Sequence, residues 1–339
     1  MRPEAGEILF LSRKDIERIL NPTDCVNRCL ETFKWIGEGL IEQKNPISIQ
    51  VTPDNNFQGS GFLQSYPALV KPLKIGGNKW LGGYPGNIAL GLPVISALII
   101  INDGETGRVL AVLQGEILTA MRTAGHSAVG AGFLAREKPE VLSIIGCGLE
   151  GRAHIKTMSE VFPVKLIKVF DISSERERAF IEEMSQIIGA EISACRTAEE
   201  AVSGADIICL VTSSREPVLR EAWIDKGALV CAINGFLDLD PYCAIKFDKW
   251  VLGCYKRDLE WIEGDEVGKN SPQVVPYTAE NIYADIATEI VLNKKPGRQT
   301  DKERIVFTHH GMPALDIAVS ALVYEEAIKQ GIGTAIKIN

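Results

Sequence analysis

One hexapeptide constrains this chain more than any other stretch. Gly146-Cys147-Gly148-Leu149-Glu150-Gly151 follows the β-rich run Val141–Ile145 and opens an amphipathic segment, Leu149–Phe162, that Pro163 ends. Each glycine of a Gly-x-Gly-x-x-Gly turn between strand and helix has a mechanical reason. The first permits the tight turn, the second lets backbone approach a pyrophosphate, and the third lets helix pack on strand. The phosphates then rest on the positive N-terminus of the helix. The next β-rich run, Leu166–Phe170, leads into Asp171, about 20 residues further on, where an acid accepts from ribose hydroxyls and repels a 2′-phosphate. The loop and Asp171 thus predict a dinucleotide site with NAD preferred.

The alternation continues downstream. Ser173 or Ser174 caps a helix reaching Ile188, with Gly189 past its end. Strands are predicted at Glu191–Ala194, Asp206–Val211, Ala228–Ile233 and Trp250–Leu252, and Thr197-Ala198-Glu199-Glu200 is a capping box. Short strands alternating with helices predict a parallel sheet, here of six strands. The first 115 or so residues differ, with helices at Arg13–Leu20 and Pro22–Gln43 followed by strands and glycine-rich turns. Further helices are predicted at Thr119–Ala135 and Pro313–Gln330, the latter closed by Gly331, and a strand-like tail, Thr334–Ile338, returns to the first lobe. The predicted fold is α/β: a Rossmann doubly wound parallel sheet (129–303) inserted into an α+β substrate-binding domain (1–128 with 304–339).

The rest of the sequence narrows the partners. A net charge of -8 argues against nucleic acid, whose phosphates need a basic face. The longest apolar run, Leu92–Ile101, is too short to span a bilayer and contains Pro93, and no signal peptide is visible. Eight cysteines without a CxxC pair fit reduced thiols in the cytoplasm. Lys79, within Asn78-Lys79-Trp80-Leu81-Gly82-Gly83, and Arg122, within Thr119-Ala120-Met121-Arg122-Thr123-Ala124, are cations among small and apolar residues. Such a cation suits close approach by an anionic ligand, and a guanidinium grips a carboxylate with two hydrogen bonds; a structural ion pair is the alternative. His309-His310 has no third ligand at metal spacing, so no metal is expected, and the pair is placed at the edge of a cofactor pocket. His126 and His154 are expected to serve helix packing.

Lys79 with its following glycines, Asp103-Gly104-Glu105-Thr106-Gly107, Met121-Arg122-Thr123-Ala124, the glycine loop and Gly311-Met312-Pro313-Ala314-Leu315-Asp316 stand together in one chain. In this order and spacing the sequence resembles the ornithine cyclodeaminase/mu-crystallin family over roughly residues 8 to 338. Lys79–Gly82, Ile100–Thr106, Ala120–Ala124, Ile144–Gly151 and Gly331-Ile332-Gly333-Thr334 are most similar to its N-(2-amino-2-carboxyethyl)-L-glutamate dehydrogenase branch. The resemblance implies an NAD-dependent oxidoreductase acting on the Cα–N bond of an amino acid or N-carboxyalkyl amino acid. It also implies a homodimer through the first lobe, which makes that lobe the dimerisation domain as well.

Lys79 and Arg122 would hold the substrate carboxylate, with Lys79 assisting proton movement at the nitrogen. Thr123 would contact a cofactor phosphate, Thr212 and Ser213 would border the nicotinamide ribose, and Asn234 would also contact the cofactor. Gln64, Phe236, Asp238 and Met312 fall at or beside substrate positions. There are departures from the family pattern. Pro46-Ile47-Ser48-Ile49-Gln50 lacks an arginine that family members carry, Gln64 replaces an acid of the cyclodeaminases, and Phe236 stands where they use an aspartate. Asp238 and Asp240 lie nearby but out of register. The expectation therefore turns away from ornithine cyclisation, which remains the alternative activity. A non-catalytic, crystallin-like binding role is the third reading.

Overall fold

A computed structural model describes residues 4, 6–52, 59–214, 216–233, 235, 237–263 and 277–338. The chain divides into two compact units, Met1–Arg122 with Met312–Asn339, and Thr123–Gly311.

The first unit begins with β1 (Glu7–Leu11), α1 (Arg13–Ile19) and α2 (Pro22–Gly37). Ser12 and Asp15 form a capping box at α1, while Asn21 caps α2 with Pro22 in its first turn. Then come β2 (Ile41–Gln43), β3 (Ile47–Val51), β4 (Gly61–Val70), β5 (Ile75–Gly83), β6 (Ile95–Asp103), β7 (Val109–Gln114) and α3 (Glu116–Leu134). The second helix stops earlier than expected. Gly39 takes a φ of +74° and turns the chain, so Ile41–Gln43 pairs with β4 as a strand instead of continuing the helix. Through β2, β4, β5, β6 and β7 the sheet is antiparallel, with β3 also on β4 and β1 parallel to β7.

The second unit alternates as expected: β8 (Val141–Ile145), α4 (Leu149–Val161), β9 (Leu166–Phe170), α5 (Ser174–Met184), β10 (Glu191–Ala194), α6 (Ala198–Val202) and β11 (Ile207–Leu210). It continues through β12 (Leu229–Ala232), α7 (Cys243–Lys246), β13 (Lys249–Leu252), α8 (Tyr255–Glu263), β14 (Ala284–Asp285) and β15 (Ile305–Thr308). The strands form one parallel sheet in the order β10-β9-β8-β11-β12-β15-β13-β14. This is the doubly wound order, with its reversal at β8, flanked by β9 and β11. Eight strands replace the six expected. One addition, β15, lies between β12 and β13, and every residue of it is buried. Residues 304–311 therefore stay with the parallel sheet, and the return to the first unit starts at Met312. The first compact unit reaches Arg122, within α3.

The returning segment completes the first unit with α9 (Pro313–Gln330), closed by Gly331 in the left-handed region, and β16 (Thr334–Lys337), antiparallel to β1. Apolar side chains cover almost the whole first half of α9, which packs on α2, β4 and β5. No described helix is long and apolar enough to cross a membrane.

Candidate functional site

In the second unit the three loop glycines do three different things. Gly146 has a φ of +109°, and a Cβ there would stand 2.7 Å from the carbonyl oxygen of Val211. A Cβ on Gly151 would collide with the carbonyl oxygen of Gly146, so the helix approaches the loop only because residue 151 is glycine. Gly148, the N-cap of α4, has open space where its Cβ would be and provides no side-chain cap. An uncapped helix N-terminus facing open space is the cradle a pyrophosphate requires, so the residues present fit a dinucleotide. Leu149 and Glu150 form the first turn beside it. Cys147 offers no thiol chemistry, since its side chain is fully buried and burial pushes the thiol up to about 12.

Asp171 is tied to that loop. Its Oδ2 accepts from the Cys147 amide at 2.9 Å and its Oδ1 from the Ser173 amide at 2.8 Å, with Arg176 Nε 3.6 Å from Oδ1. Thr212 follows β11, and its hydroxyl donates to Asp238 Oδ2 at 2.7 Å while accepting from the Ser214 amide at 3.1 Å. Ser213 is exposed and Thr123 is buried on α3. Asn234 and Phe236 lie outside the described residues.

The Asp238 side chain is fully buried behind Thr212, and burial raises its carboxyl to about 7 against the opposing pull of the Thr212 hydroxyl. It thereby supports the Thr212 loop. Asp240 accepts from the Glu221 and Tyr242 amides, each at 3.0 Å, so it too is committed to backbone.

In the first unit Lys79 and Arg122 are both buried, and they converge on one carboxylate. Lys79 Nζ lies 2.9 Å from Asp316 Oδ2 and Arg122 Nε 2.8 Å from Asp316 Oδ1. Asp316 sits in the first turn of α9, where the helix dipole favours an anion. Burial alone would raise its carboxyl, yet Arg122 and Lys79 together hold it below the ordinary value. Lys79 on β5 also stands 4.4 Å from the ring centroid of Tyr66, its cross-strand neighbour on β4. The Tyr66 hydroxyl donates to Gln64 Oε1 at 2.8 Å, and Gln64 Nε2 reaches Ser48 Oγ at 3.3 Å. Gln64 therefore belongs to the same cluster as Lys79, and Met312 is buried at the N-cap of α9. Asp316 is the cluster member that sequence reasoning left without a role. The signal that singled out Lys79 and Arg122 marks it as well: a lone charge within Pro313-Ala314-Leu315-Asp316-Ile317-Ala318-Val319.

The four histidines of the chain all fall in the second unit. His154 Nδ1 is 2.8 Å from the Glu150 carbonyl oxygen, which can only accept, so Nδ1 carries the proton of the neutral ring. His154 Nε2 then accepts from the Ser127 hydroxyl at 2.9 Å, and that oxygen in turn accepts from His309 Nε2–H, also at 2.9 Å. His126 stacks on His309 with ring centroids 3.9 Å apart. His310 is different: its Nδ1 lies 2.9 Å from the buried carboxylate of Asp258.

The sequence pattern of the ornithine cyclodeaminase/mu-crystallin family matches residues 7–331. The N-((2S)-2-amino-2-carboxyethyl)-L-glutamate dehydrogenase of Staphylococcus aureus is 31% identical, over 98% of this chain and 99% of its own. The Δ1-pyrroline-2-carboxylate reductase of Thermococcus litoralis, solved with NADH and L-proline, superposes with a TM-score of 0.88 at 30% identity, over 96% of this chain and 99% of its own. An archaeal alanine dehydrogenase dimer with bound NAD gives a TM-score of 0.85 at 27% identity, over 98% of this chain and all of its own. With a family pattern matched along nearly its full length and relatives similar over both units, the chain belongs to the ornithine cyclodeaminase/mu-crystallin family.

Proposed function

We propose that the protein is an NAD-dependent oxidoreductase acting on the Cα–N bond of an amino acid or an N-carboxyalkyl amino acid. The observation that carries this reading is the pair of buried cations, Lys79 and Arg122, gathered on Asp316. Two buried cations converging on one place suit the approach of a substrate carboxylate. The cradle at Gly148 and the acid at Asp171 would hold NAD, which when bound supplies the hydride acceptor. The chain's own residues would bind and orient: Lys79 and Arg122 the carboxylate, Gln64 and Met312 the pocket wall, Thr212 and Ser213 the nicotinamide half. Water attacking the resulting imine would release a 2-oxo acid and an amine. Relatives named for alanine, for an N-carboxyalkyl glutamate and for Δ1-pyrroline-2-carboxylate all act at a carbon bearing both nitrogen and carboxylate. Ornithine cyclisation is disfavoured because Phe236 stands where cyclodeaminases use an aspartate, while Asp238 Oδ2 accepts from Thr212 and Asp240 accepts from backbone amides.

The test is a mass-spectrometric product screen with NAD+ and a panel of L-alanine, L-proline, L-ornithine and N-carboxyalkyl amino acids. NADH and a 2-oxo acid or imine are expected from at least one panel member. Lys79→Ala and Arg122→Ala should each cost about 2–5 kcal/mol in kcat/KM while NADH binding persists. Proline and ammonia formed from ornithine at many turnovers per NAD would replace this reading with cyclodeamination. No turnover at all would leave the crystallin-like binding role.

The same proposal includes a homodimer in the cytoplasm, where the free cysteines would stay reduced. The first unit exposes Trp80 beside its cross-strand partner Leu98, together with Ile100, Ile47 and Ile49, an apolar sheet face suited to a second copy. Leu98→Asp should shift the sedimenting species towards monomer.

A further inference from the structure

We infer that Arg176 is a second residue setting cofactor specificity: its guanidinium is placed to meet the 2′-phosphate of a phosphorylated dinucleotide, and Asp171 holds it off. This rests on the reading of Asp171 as the ribose acid and deepens it by assigning the cation beside it. Both residues and the glycine loop belong to the second unit.

The position of Arg176 is out of keeping with its helix. It stands in the first turn of α5, after the N-cap Ser173, and its amide donates to the Ser173 hydroxyl at 3.3 Å. The positive end of a helix dipole favours acids, such as Glu175 and Glu177 of the same turn, and an arginine there works against it. Asp171 offsets that cost. Arg176 Nε lies 3.6 Å from Asp171 Oδ1, a distance of charge attraction longer than a made hydrogen bond. The carboxylate is fixed by the Cys147 and Ser173 amides, whereas the guanidinium is held to it by charge. Arg176 keeps 53% of its side chain exposed against 8% for Asp171, so the arginine stands on the solvent side of the pair.

The same corner has the donors that a phosphate needs. The Cys147 and Ser173 amides both point at the place where the Asp171 carboxylate lies, at the carboxyl end of β9. Two N–H groups and a guanidinium thus surround an anion position that the chain fills with its own carboxylate. A carboxylate has about four acceptor sites, so Asp171 can still receive ribose hydroxyls while repelling a 2′-phosphate. Without that acid the planar fork of Arg176 suits the phosphate. The other charged groups around this corner are Glu177 and Arg152. The Glu177 carboxyl is raised chiefly by burial. Arg152 is committed elsewhere, with Nε 2.6 Å from Glu183 Oε2 and Nη1 donating to the Cys147 and Gly148 carbonyls. Arg176 is therefore the cation at this corner that can turn from one anion to another.

The test is a fluorescence titration of the full chain with NADH and with NADPH, which reads affinity without turnover. The wild type should bind NADH more tightly by about tenfold or more. Arg176→Ala leaves Asp171 and its two amide bonds in place; it should weaken NADPH by about fivefold and leave NADH within about twofold. Asp171→Ser should tighten NADPH by about tenfold, and adding Arg176→Ala should remove that gain. Asp171→Asn, closer in size, repeats the pair of measurements if Asp171→Ser melts well below the wild type. Adenosine 2′,5′-bisphosphate and 5′-AMP, used as competitors that lack nicotinamide, should reproduce the pattern and confine it to the adenosine end. Arg176→Ala acting equally on NADH and NADPH, or the double variant keeping the whole NADPH gain, would overturn the Arg176 assignment. A wild type that binds both cofactors equally would instead defeat the Asp171 reading, with Arg176→Ala still deciding whether the arginine meets the phosphate.

Discussion

Each unit buries a polar cluster, and the two are built on opposite electrostatic principles. Lys79, Asp316 and Arg122 in the first unit concentrate three formal charges away from solvent. Ser127, His154 and His309 in the second are equally sealed, yet the chain of tautomers from the Glu150 carbonyl to His309 needs no charge. Burial lowers His154 to about 4, which keeps that ring neutral across the physiological range. A neutral, internally satisfied chain fixes elements against one another. A charged cluster holds its members by electrostatics as well as by hydrogen bonds. On the proposed function the neutral chain is a structural network and the charged cluster a binding one.

The sharpest way to break the comparison is to change the sign balance of the charged cluster. Asp316→Asn would leave two buried cations without their shared carboxylate, and losing one partner of a buried ionic group typically costs about 3–5 kcal/mol. A loss of that size, read from urea unfolding, is expected. Lys79→Met keeps the Arg122–Asp316 pair intact and should lose substrate affinity with a smaller loss of stability. If Lys79→Met destabilised as much as Asp316→Asn, the cluster would be structural, like its counterpart in the second unit.

What the sequence reveals follows from how local each determinant is. The glycine loop, the Ser173 cap of α5 and the Gly331 stop of α9 are decided within a few residues, and they stand where expected. Strand β15 escapes a sequence reading because Ile305–Thr308 is only four residues long and is buried by its neighbours β12 and β13 rather than marked by any alternation of its own. Asp316 escapes as a site residue for a related reason. Its partners lie 237 and 194 positions away, so only the packing of α9 on β5 reveals that three isolated charges form one cluster. Asp238 shows the same dependence on packing, since its burial behind Thr212 is invisible in the sequence.

Asp238 also provides an intermediate case between the two clusters, a single buried carboxyl on a hydroxyl. Its folded value near 7 lies above that of an ordinary carboxyl because burial penalises the ionised form. A raised carboxyl contributes its stability fully at low pH and loses it as pH rises through the folded value. Wild-type stability should therefore fall between about pH 4 and pH 7 from this group, by at most about 1.4 kcal/mol for each pH unit crossed. Asp238→Asn, which cannot ionise, should gain on wild type by about 2 kcal/mol between pH 5 and pH 8. Paired thermal melts at those two pH values measure it. An unchanged difference would mean that Asp238 is solvated or paired as an ion.

The smallest effect should come from the neutral cluster. Ser127→Ala removes the one hydroxyl that donates to His154 and accepts from His309, and withdrawing a partner from buried polar groups costs about 1–3 kcal/mol. The pH dependence of that loss is the informative part. His154 is depressed below its ordinary value, so its contribution to stability is complete above about 6.5 and disappears as pH falls towards about 4. Between pH 6.5 and pH 8 neither the wild type nor Ser127→Ala should ionise there, and the difference between them should be flat. Asp316 is held below its own ordinary value by the two cations, so the Asp316→Asn loss should likewise persist at neutral pH and shrink only in acid. The clusters would then differ in size of effect across the neutral range and part company on acidification: the histidine chain fails first, below about 6.5, and the carboxylate later. If Ser127→Ala instead lost stability in proportion to pH between 6.5 and 8, a charged histidine would sit in that chain, and the division into a neutral and a charged cluster would be wrong.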